Sequence, residues 1–173
     1  MIKHILTGTF NFIVFVLIQV LILNNIHLFR IATPFIYLYF IIKLPIRTHR
    51  TQVVFLSFLI GLVIDAFSNT PGMHAAACTL AGAVRAPLIR FFKGDELPGE
   101  AVPSYRLFGV GGFIRYVIAI VAIHHLMLFF IESLTLFDPL FLLLRIAASI
   151  FLSTLLICIV EAFNIGAKRS GEF

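Results

Sequence analysis

Apolar runs long enough to cross a bilayer recur along this chain, separated by short polar gaps, and that pattern limits the fold more than any other feature. A crossing helix needs about 20 mostly apolar residues, because the hydrocarbon core is about 30 Å thick and a helix rises about 1.5 Å per residue. Six segments are read this way, at 5–23, 31–45, 52–67, 71–92, 113–131 and 139–163. Of the 173 residues, 61% are hydrophobic and 12% charged. A soluble domain has about 45–50% apolar and about 25% charged residues, so this chain could not cover itself with polar surface. The reading is a single domain, an all-α integral membrane protein with six transmembrane helices and little mass outside the bilayer.

The opening run, Ile5 to Leu23, exceeds the 7–15 residues of a signal-peptide core, and Asn24-Asn25 follows it in place of a small-residue cleavage site. It reads as a retained helix with Gln19 facing other helices. In the second segment Thr33-Pro34 resembles an N-cap with proline at the first helical position, and Pro45 ends the helix. This segment is short, so Arg30 and Lys43 are expected to extend it by reaching the two interfaces, with Tyr37 and Tyr39 near headgroups. A re-entrant segment is the alternative.

The third segment ends in Asp65, a carboxylate closing an otherwise apolar run from Val53 to Ile64. An ionisable group at membrane depth is costly, by about 2.5–3.5 kcal/mol at a helix centre, and normally has a partner, a wet cavity or a function. A polar turn follows, Ser68-Asn69-Thr70-Pro71-Gly72, with Thr70-Pro71 repeating the cap signal and Gly72 available for positive φ. The fourth segment is poor in bulky residues. Cys78, Gly82 and Ala86 recur every four positions, as do Ala75 and Thr79, which lets helix backbones approach closely in lipid. Arg85 lies deep in this segment and requires a partner or water, and Pro87 is expected to kink it.

The polar stretch from Lys93 to Leu107 reads as a surface loop. In the fifth segment Arg115, Ile118, Ala122, His125, Phe129 and Glu132 fall near one face. In the sixth, Arg145, Ser149, Ser153, Ile157 and Glu161 recur every four residues, a stripe expected to face the bundle. With the N-terminus inside, ten of the thirteen lysines and arginines lie at the inner side: Lys3, Lys43, Arg47, Arg50, Arg90, Lys93, Arg106, Arg115, Lys168 and Arg169. Both termini are therefore expected in the cytoplasm, and the net charge of +5 reflects this bias, not nucleic-acid binding. The same topology puts Asp65, His74, Glu132, Asp138 and Arg145 near the outer face. Asp65 and Glu132 are then the candidate partners of Arg145, and Arg85 or Arg115 that of Glu161.

No pattern for a serine nucleophile, a zinc protease or a phosphate loop occurs. His124 and His125 point about 100° apart on a helix, so they read as packing residues before a metal site or a proton relay. Cys78 and Cys158 sit in different apolar runs and read as packing residues. No enzymatic activity and no cofactor is expected.

The Gly61-x-x-x-Asp65 element, the polar turn ending in Gly72, and His74-Ala75 after it resemble the signature hairpin of the rod shape-determining protein MreD family. Chain length, crossings, Gln19 and the Asn24-Asn25 pair fit the same family, although the Lys93–Leu107 loop is longer and more acidic than its short members lead one to expect. The resemblance implies a non-enzymatic subunit of the bacterial inner membrane that binds the MreC scaffold. With the MreB filament, RodA and its partner transpeptidase, it would organise lateral peptidoglycan synthesis. Gly61, Asp65, Gly72 and His74 would serve packing and partner contact, and the Gly82 face of the fourth segment would dock a partner helix. The family fold is similar to that of the six-helix substrate-binding subunits of energy-coupling-factor transporters. That likeness supplies the alternative, a small-molecule-binding membrane subunit.

Overall fold

The structure, a computed structural model, describes residues 2–25, 32–94, 97–98, 101–133 and 139–170, with side chains described over 8–24, 32–94, 97–98, 101–133 and 139–164. Arg30, Asp95, Glu96, Glu100 and Asp138, and the side chains of Lys3, Lys168 and Arg169, lie outside the described residues. The chain is all-helical: α1 (Ile2–Leu21), α2 (Leu38–Ile42), α3 (Arg50–Ser68), α4 (Met73–Lys93), α5 (Tyr105–Phe108), α6 (Val110–Ser133) and α7 (Pro139–Ser170). Among the described residues, four helices are long and apolar enough to cross a membrane: Arg50–Ser68, Met73–Lys93, Val110–Ser133 and Pro139–Asn164. They fall where the apolar runs predict the third to sixth segments. Phe55 on α3, Phe91 on α4, Phe130 on α6 and Phe151 on α7 point outward, as lipid-facing side chains of a multi-pass protein do.

The second segment departs from expectation. Only Leu38–Ile42 is helical, and its residues are buried within the protein, not displayed to lipid. Thr33-Pro34 does not begin a helix, and Tyr37 and Tyr39 are buried in the core and not displayed at the surface. The reason is visible in the backbone hydrogen bonds. Ser149 Oγ accepts from the Thr33 amide at 3.1 Å and Ser153 Oγ from the Phe35 amide at 2.9 Å. Gln19 accepts from the Ile36 amide at 2.9 Å and donates to the Pro34 carbonyl at 3.0 Å. Irregular backbone survives at membrane depth only where protein groups replace the helical bonds, and three side chains from α1 and α7 do so here. Gln19 thus serves the second segment more than a neighbouring helix.

Downstream, the Tyr39 hydroxyl donates to Glu161 at 2.7 Å, and Lys43 forms an ion pair with Glu161 at 2.9 Å. The segment therefore runs alongside α7 in the same direction, from Ser149 toward Glu161. The stripe predicted on α7 faces inward, with Ser149, Ser153, Ile157 and Glu161 all buried. The face predicted on α6 is divided: His125 and Phe129 are buried, Arg115 and Ile118 are exposed, and the buried side also takes in Phe113, Val117, Ile120, His124 and Leu128. Large residues all round this helix hide its periodicity.

At the end of the bundle bearing the α3 N-terminus and the α4 C-terminus, residues 101–108 pack closely against the bundle. Ile46 donates to the Ala101 carbonyl at 2.9 Å, Lys43 to the Pro103 carbonyl at 2.8 Å, and the Tyr105 hydroxyl to the Cys158 carbonyl at 3.0 Å. Ser104 caps α5 by accepting from the Leu107 amide, and Phe108 stacks on Tyr116. Pro87 does not end α4, which continues to Lys93.

Candidate functional site

The hairpin between α3 and α4 is held by one carboxylate. Asp65 is buried in the last turn of α3. Its Oδ1 accepts from the His74 amide and its Oδ2 from the Ala75 amide, each at 2.9 Å. These amides belong to the first turn of α4, where backbone donors have no intrahelical acceptor and the helix dipole favours negative charge. Asp65 thus caps a helix other than its own. The Thr70 hydroxyl also donates to Oδ1, at 2.9 Å, and the Asp65 carbonyl accepts from the Thr70 amide at 3.2 Å. Thr70 is therefore a brace for Asp65 and not the cap of α4. The turn reverses through two left-handed residues, Asn69 at φ 54° and Gly72 at φ 84°. Gly72, at the start of α4, has open space around it, so its glycine requirement comes from the backbone.

Gly61 answers a different need. A β-carbon there would lie 2.6 Å from the Ala75 Cα, so α3 and α4 cross in contact at this point. At Gly82, farther along the same crossing, a β-carbon would meet the Ser57 side chain, with its Cβ at 2.8 Å. The small-residue face of α4, with Ala75, Cys78 and Gly82 buried, is thereby occupied by its own neighbours. That overturns its expected use as a docking surface for a partner helix.

His74 joins the hairpin to the core. Its Nδ1 lies 2.7 Å from the Tyr37 hydroxyl, which also lies 2.9 Å from His124 Nε2. His124 Nδ1 has no partner among the described residues. A buried orphan acceptor is tolerated more often than an orphan N–H. The consistent direction is therefore His124 Nε2–H to Tyr37, and Tyr37 O–H to His74 Nδ1. His125 turns elsewhere, donating from Nδ1 to the Val121 carbonyl at 2.8 Å and receiving the Ser153 hydroxyl at Nε2, at 3.3 Å. The Phe35 ring packs against all three imidazoles. Among the described residues, no group of three His, Cys, Asp or Glu side chains converges to hold a metal ion.

Of the sequence-predicted residues, Gly61, Asp65, Gly72 and His74 come together as one unit. Gly82 lies on the same helix crossing, one face along. Glu132 and Arg145 form a separate pair at 2.6 Å, with the guanidinium 5.0 Å from the Phe129 ring centre. Asp65 is therefore not a partner of Arg145, because both its oxygens are occupied by the α4 amides. Glu161 pairs with Lys43, not with Arg85 or Arg115. Arg85 turns to the carbonyls of Ile42 and Leu44 at the end of α2, and Arg115 is exposed. Sequence reasoning missed Tyr37 and the bonding of His124, whose only signal was polar groups in apolar runs.

Comparison of the chain with protein families, with curated proteins and with solved structures returns no match.

Proposed function

We propose that this chain is a non-enzymatic scaffold subunit of the bacterial cell-elongation machinery, of MreD type. It resides in the inner membrane with both termini cytoplasmic and binds an MreC-like single-pass partner. The observation that carries the reading is the hairpin. Asp65 fixes the start of α4 to the end of α3, while Phe67, Asn69 and Pro71 at its tip stay exposed. Such a unit presents a rigid, partly apolar knob at one end of the bundle, as a partner contact requires. The remaining described carboxylates, Glu132 and Glu161, hold Arg145 and Lys43, so the charged groups serve architecture. MreB, RodA and its transpeptidase would join through the assembled complex. Arg47, Arg50, Arg90 and Lys93 gather at the end opposite the hairpin, which supports a cytoplasmic assignment for that end.

The transporter reading requires a ligand cavity beside the hairpin. The cleft described below opens at the far end, between Arg50 and Arg90.

The test is affinity purification of the tagged protein from its native membrane, with mass spectrometry of proteins and small molecules. An MreC-like protein and wall-synthesis enzymes should co-purify. Phe67→Ser with Asn69→Lys, which alter the tip and spare the core, should lower their recovery several-fold at equal expression. A stoichiometric metabolite, or an ATPase coupling module without wall proteins, would replace this reading with the transporter one.

A further inference from the structure

A cleft of about 270 Å³ opens where α3 begins and α4 ends. Its walls include Thr48, Arg50, Arg85, Pro87 and Arg90, and among the described residues none that line it is acidic. Arg50, Arg85 and Arg90 bring three guanidinium groups to one small space, and such a concentration of positive charge attracts anions. Arg85 is the unusual member. It is only 2% exposed, and its Nε has no hydrogen-bond acceptor among the described residues. The Tyr116 hydroxyl lies beside the guanidinium, close enough to interact with it. The other end of the guanidinium is anchored to the Leu44 and Ile42 carbonyls, so the group is held in place rather than free to seek water. The first turn of α3 adds backbone amides at the same site: Val53 is the first to bond back within the helix, to the His49 carbonyl at 3.0 Å.

We propose that this cleft binds a phosphate oxyanion, presented by an anionic phospholipid headgroup at the membrane surface. Arginine matches a phosphate with a planar fork of donors, and a buried one does so with little loss of side-chain freedom. The volume falls just below the roughly 300–1,000 Å³ of pockets for drug-sized ligands, which suits a headgroup better than a metabolite. The position along the helices fits as well: Arg50 opens one candidate crossing helix and Arg90 stands one turn from the end of the next, and the ends of crossing helices are where headgroups are met. Basic pockets between transmembrane helices bind headgroups of this kind. The inference stands apart from the scaffold reading, since it concerns the opposite end of the bundle from the hairpin.

The experiment uses the full-length protein in detergent, titrated with phosphatidylglycerol, with phosphatidylcholine and with inorganic phosphate, and read by native mass spectrometry and thermal unfolding. Arg85 also ties down the end of α2, so its loss would confuse binding with folding. The test variant is therefore Arg50→Gln with Arg90→Gln, and the control is Arg106→Gln with Arg115→Gln, two exposed arginines outside the cleft. Phosphatidylglycerol should be retained over phosphatidylcholine, and the test variant should lose that retention by about tenfold while the control keeps it. Stabilisation by inorganic phosphate alone, lost in the test variant and without lipid preference, would keep the oxyanion site but overturn its lipid source. Equal retention of both lipids with no phosphate effect, or equal loss in test and control variants, would overturn the site.

Discussion

Asp65 accepts from two successive amides of α4, and each carboxylate oxygen has its own donor. Hydrogen bonds to an ionised group are worth about 1.5–3 kcal/mol, and a helix cap about 0.5–2 kcal/mol, which sets the scale of this side chain's contribution. Asp65→Ala should destabilise the protein by about 2–3 kcal/mol, read as a lower midpoint of thermal unfolding in detergent. Asp65→Asn should lie between, because the amide nitrogen faces a backbone donor where an oxygen stood. Equal midpoints for all three proteins would mean that the carboxylate does not cap α4. The sequence located Asp65 and its cost but not its partner. A carboxylate at the end of an apolar run signals that something must bond to it, whereas the choice between Arg145 and the α4 amides depends on how the next helix turns back.

At the scale of elements, the α3–α4 crossing is closest where glycine permits it. Gly61 faces backbone, which cannot move aside, whereas Gly82 faces the Ser57 side chain. Gly61→Ala should therefore cost about 1–3 kcal/mol through overpacking, and Gly82→Ala less. Adding Ser57→Gly should restore stability to Gly82→Ala and leave Gly61→Ala unimproved, as thermal unfolding of the single and double variants will show. Rescue of both, or of neither, would place the contact elsewhere. The four-residue spacing of small residues on α4 revealed a close approach, though not that the approaching helix is α3 of the same chain. The second segment teaches the converse. Its apolar run implied a helix, yet Gln19, Ser149 and Ser153 supply the bonds that a helix would otherwise make for itself.

For the whole molecule, Arg47, Arg50, Arg90 and Lys93 lie at one end of the bundle, and Arg145 lies at the other beside Glu132. Orientation can be read directly. After replacing Cys78 and Cys158, Asn69→Cys should react with an impermeant maleimide in intact cells, and Arg47→Cys only after the membrane is opened. The reverse pattern would invert the topology. Both positions are exposed, so reactivity reports side and not burial.

The sequence by itself determined that the chain is a multi-pass helical membrane protein, where four of its helices run, which face of α7 turns inward, and that the 61–74 hairpin is a special element. These follow from local properties: run length, spacing along one helix and the cost of a charge in lipid. Only the tertiary structure decided that the second segment is buried and mostly irregular, that Asp65 caps α4, that Lys43 and not Arg85 meets Glu161, and that three arginines share a cleft. Each of these depends on which groups, distant in sequence, meet inside the bundle. A polar side chain in an apolar run announces that it needs a partner, and only the packing of the other helices names it.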